Sequence, residues 1–131
     1  MRLQRLDGYQ QRLRQLRQVP RDEYLRDDNI QTIVERKLQL SIQACIDIAN
    51  YLIAQLGLRA PDQLENVFSV LGEEGVIATD LAQRMVGMVR FRNILVHDYL
   101  EVNNDVVYGH LQSELDDFDR FARGIVDRFL S

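Results

Sequence analysis

Four side chains suited to phosphate or proton chemistry lie close together in a mostly apolar segment, RFRNILVHDYL, at residues 90–100. They are Arg92, Asn93, His97 and Tyr99. Arginine presents a planar fork of N–H donors that matches the oxygens of a phosphate. Histidine is the side chain that gains and loses a proton near neutral pH. These residue types could therefore hold a phosphate and move a proton, although their spacing alone is a weak pattern.

The spacing of these residues restricts how they could cooperate on a helix. Asn93 and His97 are four residues apart, so they share a face. Arg92 and Tyr99 are seven residues apart and nearly eclipse one another. Arg92 and His97 are five residues apart, which separates their directions by roughly 140° on an ideal helix. Both could reach one phosphate only if the helix ends or distorts near His97, or if the site lies in a groove between them.

A purely structural role is an alternative for the same residues. An unpaired buried arginine is costly, so Arg92 needs a partner, a cleft or another subunit. Asp47, set among apolar residues of a long helix, could be that partner, while Asn93 bonds locally and His97 ends the helix. Asp47 and Asn50 could support a site at Arg92 or serve only the fold.

Two further residues, His110 and Cys45, are candidates for reactive side chains. His110 lies one position off the apolar stripe of the last helix and is expected to be a partly exposed structural histidine. Cys45, the only cysteine, lies in an apolar helical line and is expected to be inert. A single cysteine cannot form an internal disulfide, which indicates a reducing compartment, with the cytoplasm as the default. No CxxC or HExxH pattern is present, so neither a metal site nor a cofactor is expected.

Composition and charge favour an ordinary folded domain. The 131 residues are 46% hydrophobic and 27% charged, which predicts one domain over residues 1–131 with a substantial core. The net charge of −4 argues against a protein that coats nucleic acid nonspecifically. That charge is uneven, because six arginines face only Asp7 in the first 21 residues. No apolar run is long enough to span a membrane.

Apolar residues recur at helical spacing along the whole chain, and no alternating strand pattern is present. The expected fold is all-α, an antiparallel four-helix bundle with an additional short helix. A residue of the segment Asp27-Asp28-Asn29 is expected to cap a helix, as are Gly57, Thr79 and Asn103 or Asn104. The predicted helices cover about 2–18, about 22–56 with a break near 27–29, Pro61 to about Leu71, about 80–98, and about 105–129.

The segment RNILVHDY, Arg92 to Tyr99, resembles the R-x4-H-x-Y motif of the HEPN superfamily, and specifically of the HepT toxins. The likeness extends to VERKLQLSIQACIDIANYLIAQLGLRAPDQLENVFSVLGEEGVI, from Val34 to Ile77. It covers most of the chain, from about Ile30 to Phe129. The arginine-rich first helix fits the family less distinctively.

This resemblance implies a dimeric helical bundle and a metal-independent ribonuclease, with two motifs meeting across a cleft. The catalytic residues would be Arg92 and His97, supported by Asn93, with no cofactor. The partner would be a minimal nucleotidyltransferase, MntA, that acts as antitoxin. It would silence the toxin by adding AMP to the motif tyrosine, here Tyr99.

Two other functions remain open at the level of the sequence. The chain could be a catalytically silent interaction module that binds a nucleotidyltransferase, or a purely structural dimer. The intact motif favours the nuclease. The acidic net charge and the angle between Arg92 and His97 favour the silent module.

Overall fold

The computed structural model describes residues 2–97 and 102–129, and the regular structure in these ranges is helical, which confirms the predicted all-α fold. The seven α-helices of this part of the chain are α1 (Arg2–Leu16), α2 (Arg21–Arg26), α3 (Asp28–Leu56), α4 (Val67–Glu73), α5 (Thr79–His97), α6 (Asn104–Ser113) and α7 (Leu115–Phe129). A short 3-10 turn, Leu64–Asn66, precedes α4.

Three of the predicted helix caps are confirmed by backbone geometry. The carboxylate of Asp27 accepts hydrogen bonds from the N–H groups of Asn29 at 3.0 Å and Ile30 at 3.1 Å, so α3 begins where a break was expected. Gly57 ends α3 with φ 66°, a left-handed conformation that suits glycine. The side chain of Asn103 caps α6 by accepting from the N–H of Asp105 at 2.9 Å.

Two predicted boundaries are wrong. Pro61 does not start a helix, because the backbone is still extended at Gln63 (φ −134°, ψ 154°) and α4 begins only at Val67. The last helix, predicted as one piece, is divided at Glu114 into α6 and α7. Just before this division the Ser113 hydroxyl donates to the carbonyl of Gly109 at 3.0 Å, a local bond that competes with the helical ladder and bends helices.

Helix α3 is the central element, since α1, α2, α4, α5 and α6 all pack against it. Edge-to-face packing of Phe68 on Phe121, with ring centroids 5.7 Å apart, joins α4 to α7 in the core. A side chain at Gly72 would place its Cβ 2.7 Å from the Cβ of Ala82, so glycine lets α4 approach α5 closely. In the described ranges no helix combines the length and the apolarity needed to cross a membrane.

Helix α5, which carries the candidate site, is held by its inner face. Leu81, Met85, Met88 and Leu95 are buried along one line of that face. Arg92 belongs to the same line but is only partly buried. The core therefore fixes the direction of α5 and leaves the last turns of the helix partly open to solvent.

Candidate active site

The guanidinium of Arg92 is held by two neutral amide oxygens. Its Nη2 donates to Oε1 of Gln43 on α3 at 2.8 Å, and its Nη1 donates to Oδ1 of Asn93 at 3.3 Å. None of the ion pairs within residues 2–97 and 102–129 includes Arg92. Its Nε is buried and has no hydrogen-bond partner in the described part of the chain. The guanidinium is thus fixed in place with its positive charge available to an anion.

Arg92 reaches Asp47 through Gln43. The side-chain amide of Gln43 accepts from Arg92 and donates from Nε2 to Oδ1 of Asp47 at 3.0 Å. The structural interpretation, in which Asp47 is the direct partner of Arg92, is therefore corrected by this relay. Sequence reasoning missed Gln43, although its spacing of four residues from Asp47 on an otherwise apolar helix was a usable signal.

His97 is exposed at the end of α5, on the same face as Asn93. The helix stays regular through His97. The ideal angle of roughly 140° between Arg92 and His97 therefore applies. Within one chain the two side chains leave the helix in different directions, and no distortion of the described backbone brings them together. Tyr99, the predicted AMP acceptor, lies outside the described residues.

A cavity between α4 and α5 does not contain the candidate site. It has a volume of about 420 Å³ and lies between α4 and α5, and its lining residues are Ser69, Gly72, Glu73, Thr79, Ala82, Gln83, Val86 and Arg90. Neither Arg92 nor His97 contributes to it. A substrate that contacts both residues must therefore bind outside this cavity, on the surface around the end of α5.

His110 lies apart from this arrangement and is occupied by its own contacts. Its ring stacks on Phe91 with centroids 3.7 Å apart, and its Nδ1 forms a short contact with a carboxylate oxygen of Glu114. The ring is partly buried, and these contacts support the structural role predicted for it. Asn50 is exposed on α3.

Cys45 is fully buried in the core, and burial raises the pKa of its thiol. Because the thiolate is the reactive form of cysteine, a buried thiol with a raised pKa is a poor nucleophile. The geometry agrees with the expectation that Cys45 is inert.

Comparison with protein families identifies the family to which this chain belongs. The family model "Ribonuclease HepT-like" matches residues 6–125. The chain belongs to the HepT-like ribonuclease family. The predicted resemblance to HepT proteins is confirmed, and the match extends into α1, which fitted less distinctively by sequence alone.

Two curated HepT relatives match this HepT-like chain along most of their length. The mRNA nuclease HepT of Shewanella oneidensis is 36% identical over 111 residues, which are 83% of this chain and 84% of the relative. The tRNA nuclease HepT of Aphanizomenon flos-aquae is 28% identical over 124 residues, which are 95% of this chain and 84% of the relative. Both relatives are named as nucleases, with different classes of RNA.

Solved structures of HepT-type toxins have the same fold. A toxin–antitoxin structure with AMP-PNP superposes with a TM-score of 0.90 at 31% identity and covers 97% of this chain and 96% of its own. The tri-AMPylated Shewanella oneidensis HEPN toxin, in complex with its MNT antitoxin, gives a TM-score of 0.89 at 31% identity, with 97% and 95% covered. The HEPN-type bundle predicted from the sequence is therefore confirmed.

Proposed function

We propose that this protein is the toxin of a type VII toxin–antitoxin system and a metal-independent RNA endonuclease. The observation that carries the proposal is the state of Arg92. It is held by Gln43 and Asn93 through neutral oxygens, on a helix whose described part runs to an exposed His97. A cation fixed in this way is preorganised for phosphate oxygens. The nuclease names of the two HepT relatives support RNA as the substrate.

The chemistry assigned to these residues needs no metal. The 2′-hydroxyl of the RNA attacks the adjacent phosphorus, and His97 accepts the proton of that hydroxyl. The bond from phosphorus to the leaving 5′-oxygen breaks, and water supplies the proton that this oxygen takes up. Arg92 stabilises the extra negative charge on the phosphorane. The products are a 2′,3′-cyclic phosphate and a 5′-hydroxyl.

Asn93 supports the site from between these two residues. Its Oδ1 accepts from Arg92, which helps to set the orientation of the guanidinium. Since Asn93 also shares a face with His97, its side-chain N–H groups are placed to contact the substrate phosphate or the histidine.

The active site is proposed to form between two copies of the chain. On a regular α5, Arg92 and His97 diverge by roughly 140° within one protomer. A homodimer that brings two α5 helices to one cleft would let Arg92 of one chain and His97 of the other contact the same phosphate. Each dimer would then hold two composite sites.

Mixed dimers test this composite site. A dimer of one Arg92→Ala chain and one His97→Ala chain is expected to retain about half of the parent cleavage rate, because one of its two composite sites is intact. A dimer of one parent chain and one chain carrying both substitutions is expected to be inactive. The measurement is RNA cleavage in EDTA by dimers purified through two different affinity tags. The opposite result, with activity only in the second dimer, would place each site within one chain.

Regulation by a cognate MntA-like nucleotidyltransferase is the second part of the proposal, with Tyr99 as the AMP acceptor. The structural neighbour described as tri-AMPylated and bound to MNT antitoxin supports it. Tyr99 lies seven residues after Arg92, the spacing at which two residues of an ideal helix share a face. An anionic AMP group there would pair with Arg92 and block RNA.

Tyr99→Phe tests the modification site directly. Incubated with the cognate nucleotidyltransferase and ATP, this variant is expected to keep its intact mass and its nuclease activity, whereas the parent gains AMP and loses activity. Tyr51→Phe is the matched control, since Tyr51 is 55% exposed on α3 and should leave modification unchanged. AMP transfer to the Tyr99→Phe chain at the parent level, read by mass spectrometry, would exclude Tyr99 as the acceptor.

A further inference from the structure

A basic surface on α1 and α3 has no role in the site described above. We propose that Arg5, Tyr9, Arg12 and Lys37, here called the α1–α3 basic surface, bind single-stranded RNA and hold the substrate beside the active site. The proposal rests on the proposed nuclease function and deepens it, because it assigns the residues that bind RNA at a distance from the cleaved bond.

The net charge of −4 conceals two regions of opposite sign. The first 41 residues contain nine arginine and lysine residues against six aspartate and glutamate residues, whereas the remaining residues contain seven against fourteen. The objection that a protein with this net charge repels RNA therefore applies to the second region and not to α1 and the beginning of α3.

The two regions also differ in how many of their arginines form ion pairs. Seven arginines in the described ranges form ion pairs with acidic side chains, namely Arg17, Arg21, Arg59, Arg84, Arg90, Arg120 and Arg123. The other arginines whose side chains the structure describes are Arg5, Arg12, Arg14, Arg26, Arg36, Arg92 and Arg128. Apart from Arg92 and Arg128, they all lie between residues 5 and 36. Arg5, Arg12, Arg26 and Arg36 are exposed and lie outside these ion pairs, so their charges remain available to phosphates.

The members of the α1–α3 basic surface lie together. Arg5, Tyr9 and Arg12 follow one another at steps of four and three residues, so they share a face of α1. Buried residues that include Leu6 and Leu13 lie on the adjoining side of α1 and fix the helix in the core. Across the helix pair, Nζ of Lys37 is 5.3 Å from the ring centroid of Tyr9. Lys37 thus contacts one partly buried tyrosine ring, and Arg5 and Arg12 lie on the same face of α1 as that ring.

An aromatic ring among cations is the arrangement that single-stranded nucleic acid recognises. Bases stack on aromatic side chains while arginine and lysine contact the phosphates that link them. An acidic protein partner would use the cations but would have no need of the ring. The presence of Tyr9 between Arg5, Arg12 and Lys37 therefore favours RNA as the occupant.

Helix α3 also connects the basic surface to the candidate active site, because it carries both Lys37 and Gln43. Arg36 is exposed beside Lys37, and it precedes Gln43 by seven residues on α3. Two turns of helix place the two on the same face, about 10 Å apart along the axis. Gln43 contacts Arg92 directly. An RNA strand that leaves the scissile phosphate can follow α3 past Arg36 to the tyrosine on α1.

Salt-dependent RNA binding tests the proposal. The probe is a fluorescent single-stranded RNA of about 12 nucleotides, within the usual range of site sizes, and all proteins carry His97→Ala to prevent cleavage. Arg5→Gln, Arg12→Gln and Lys37→Gln together are expected to weaken binding at least tenfold. They should also reduce the slope of log K against log salt by about 2, since each phosphate contact on a single strand contributes about 0.7. Tyr9→Leu should weaken binding without changing this slope.

A control triple variant removes the same charge elsewhere. Arg59, Arg120 and Arg123 are exposed and paired with Glu73, Asp80 and Asp119. Their replacement by glutamine is expected to leave the salt slope as in the parent. Equal slopes for the two triple variants would overturn the proposal, because the loss would then reflect net charge alone. An unchanged RNA affinity of the first variant combined with lost binding to the nucleotidyltransferase would also overturn it and assign the surface to that partner.

Cleavage assays separate this proposal from the proposed function. With His97 restored, the first triple variant should cleave a dinucleotide at the parent rate and show a raised KM, with unchanged kcat, on the longer RNA. A parent that cleaves no RNA would refute the nuclease function, while the binding comparison still decides whether the surface holds RNA. If the parent cleaves RNA and the first triple variant binds RNA as tightly as the control triple variant does, only the proposed RNA-binding role of the α1–α3 basic surface would be refuted.

Discussion

Replacing His97 with alanine is expected to lower the rate of RNA cleavage by about 10²–10⁴-fold, the range typical for loss of a general acid–base group. The stability of the fold should hardly change, because His97 is exposed at the end of α5 and exposed substitutions usually stay within about 0.5 kcal/mol. The measurement is the initial rate of cleavage in EDTA, beside the urea unfolding midpoint of each protein. A His97→Ala protein that cleaves at the parent rate would remove His97 from the mechanism.

Replacing Arg92 with alanine is expected to lower the rate of RNA cleavage by a similar factor. The position should also require the planar shape of the arginine side chain. Arg92→Lys keeps the charge but loses the planar fork that contacts Gln43 and Asn93. It should therefore remain well below the parent rate, although above Arg92→Ala. Recovery of full activity by lysine would mean that charge alone is needed at this position, and that the fixed geometry seen here is irrelevant to catalysis.

Phe121→Ala is expected to destabilise the protein by about 3–5 kcal/mol, the usual cost of removing a buried phenylalanine ring. Phe121 is fully buried and packs edge-to-face on Phe68 at 5.7 Å, so the substitution opens a cavity where α4 and α7 meet. Urea unfolding at a fixed protein concentration measures the change in the free energy of unfolding. The unfolding midpoint should fall, while the dependence of this free energy on urea concentration stays the same.

Val126→Ala provides the matched control on the same helix. Val126 is 40% exposed, so its truncation should cost less than about 1 kcal/mol. If Phe121→Ala were as mild as this control, the core at the α4–α7 contact would not be packed as described.

Local features of the chain predicted much of the fold. The boundaries of α3 followed from the segment Asp27-Asp28-Asn29, in which the carboxylate of Asp27 caps the helix, and from Gly57, whose positive φ ends it. The helical spacing of apolar residues predicted buried helix faces, and on α5 such a line, Leu81, Met85, Met88 and Leu95, is buried. These properties depend on a few neighbouring residues, so the order of residue types is enough to infer them.

Other features depend on contacts that a linear pattern does not contain. The relay from Arg92 through Gln43 to Asp47 joins residues on two helices, and only the packing of α5 on α3 brings them together. The division at Glu114 also escaped prediction, because the apolar spacing continues through it and the competing bond of Ser113 to Gly109 leaves no signal in that spacing.

The central claim is that this HepT-like protein cleaves RNA without metal through Arg92 and His97. The most direct measurement uses protein whose intact mass shows no AMP, single-stranded RNA and excess EDTA, with His97→Ala and Arg92→Ala in parallel and the ends of the products identified. The expected result is cleavage by the parent to 2′,3′-cyclic phosphate ends, lost in both folded variants. Absence of cleavage, or equal cleavage by all three proteins, would contradict the claim and favour a catalytically silent module that binds a nucleotidyltransferase.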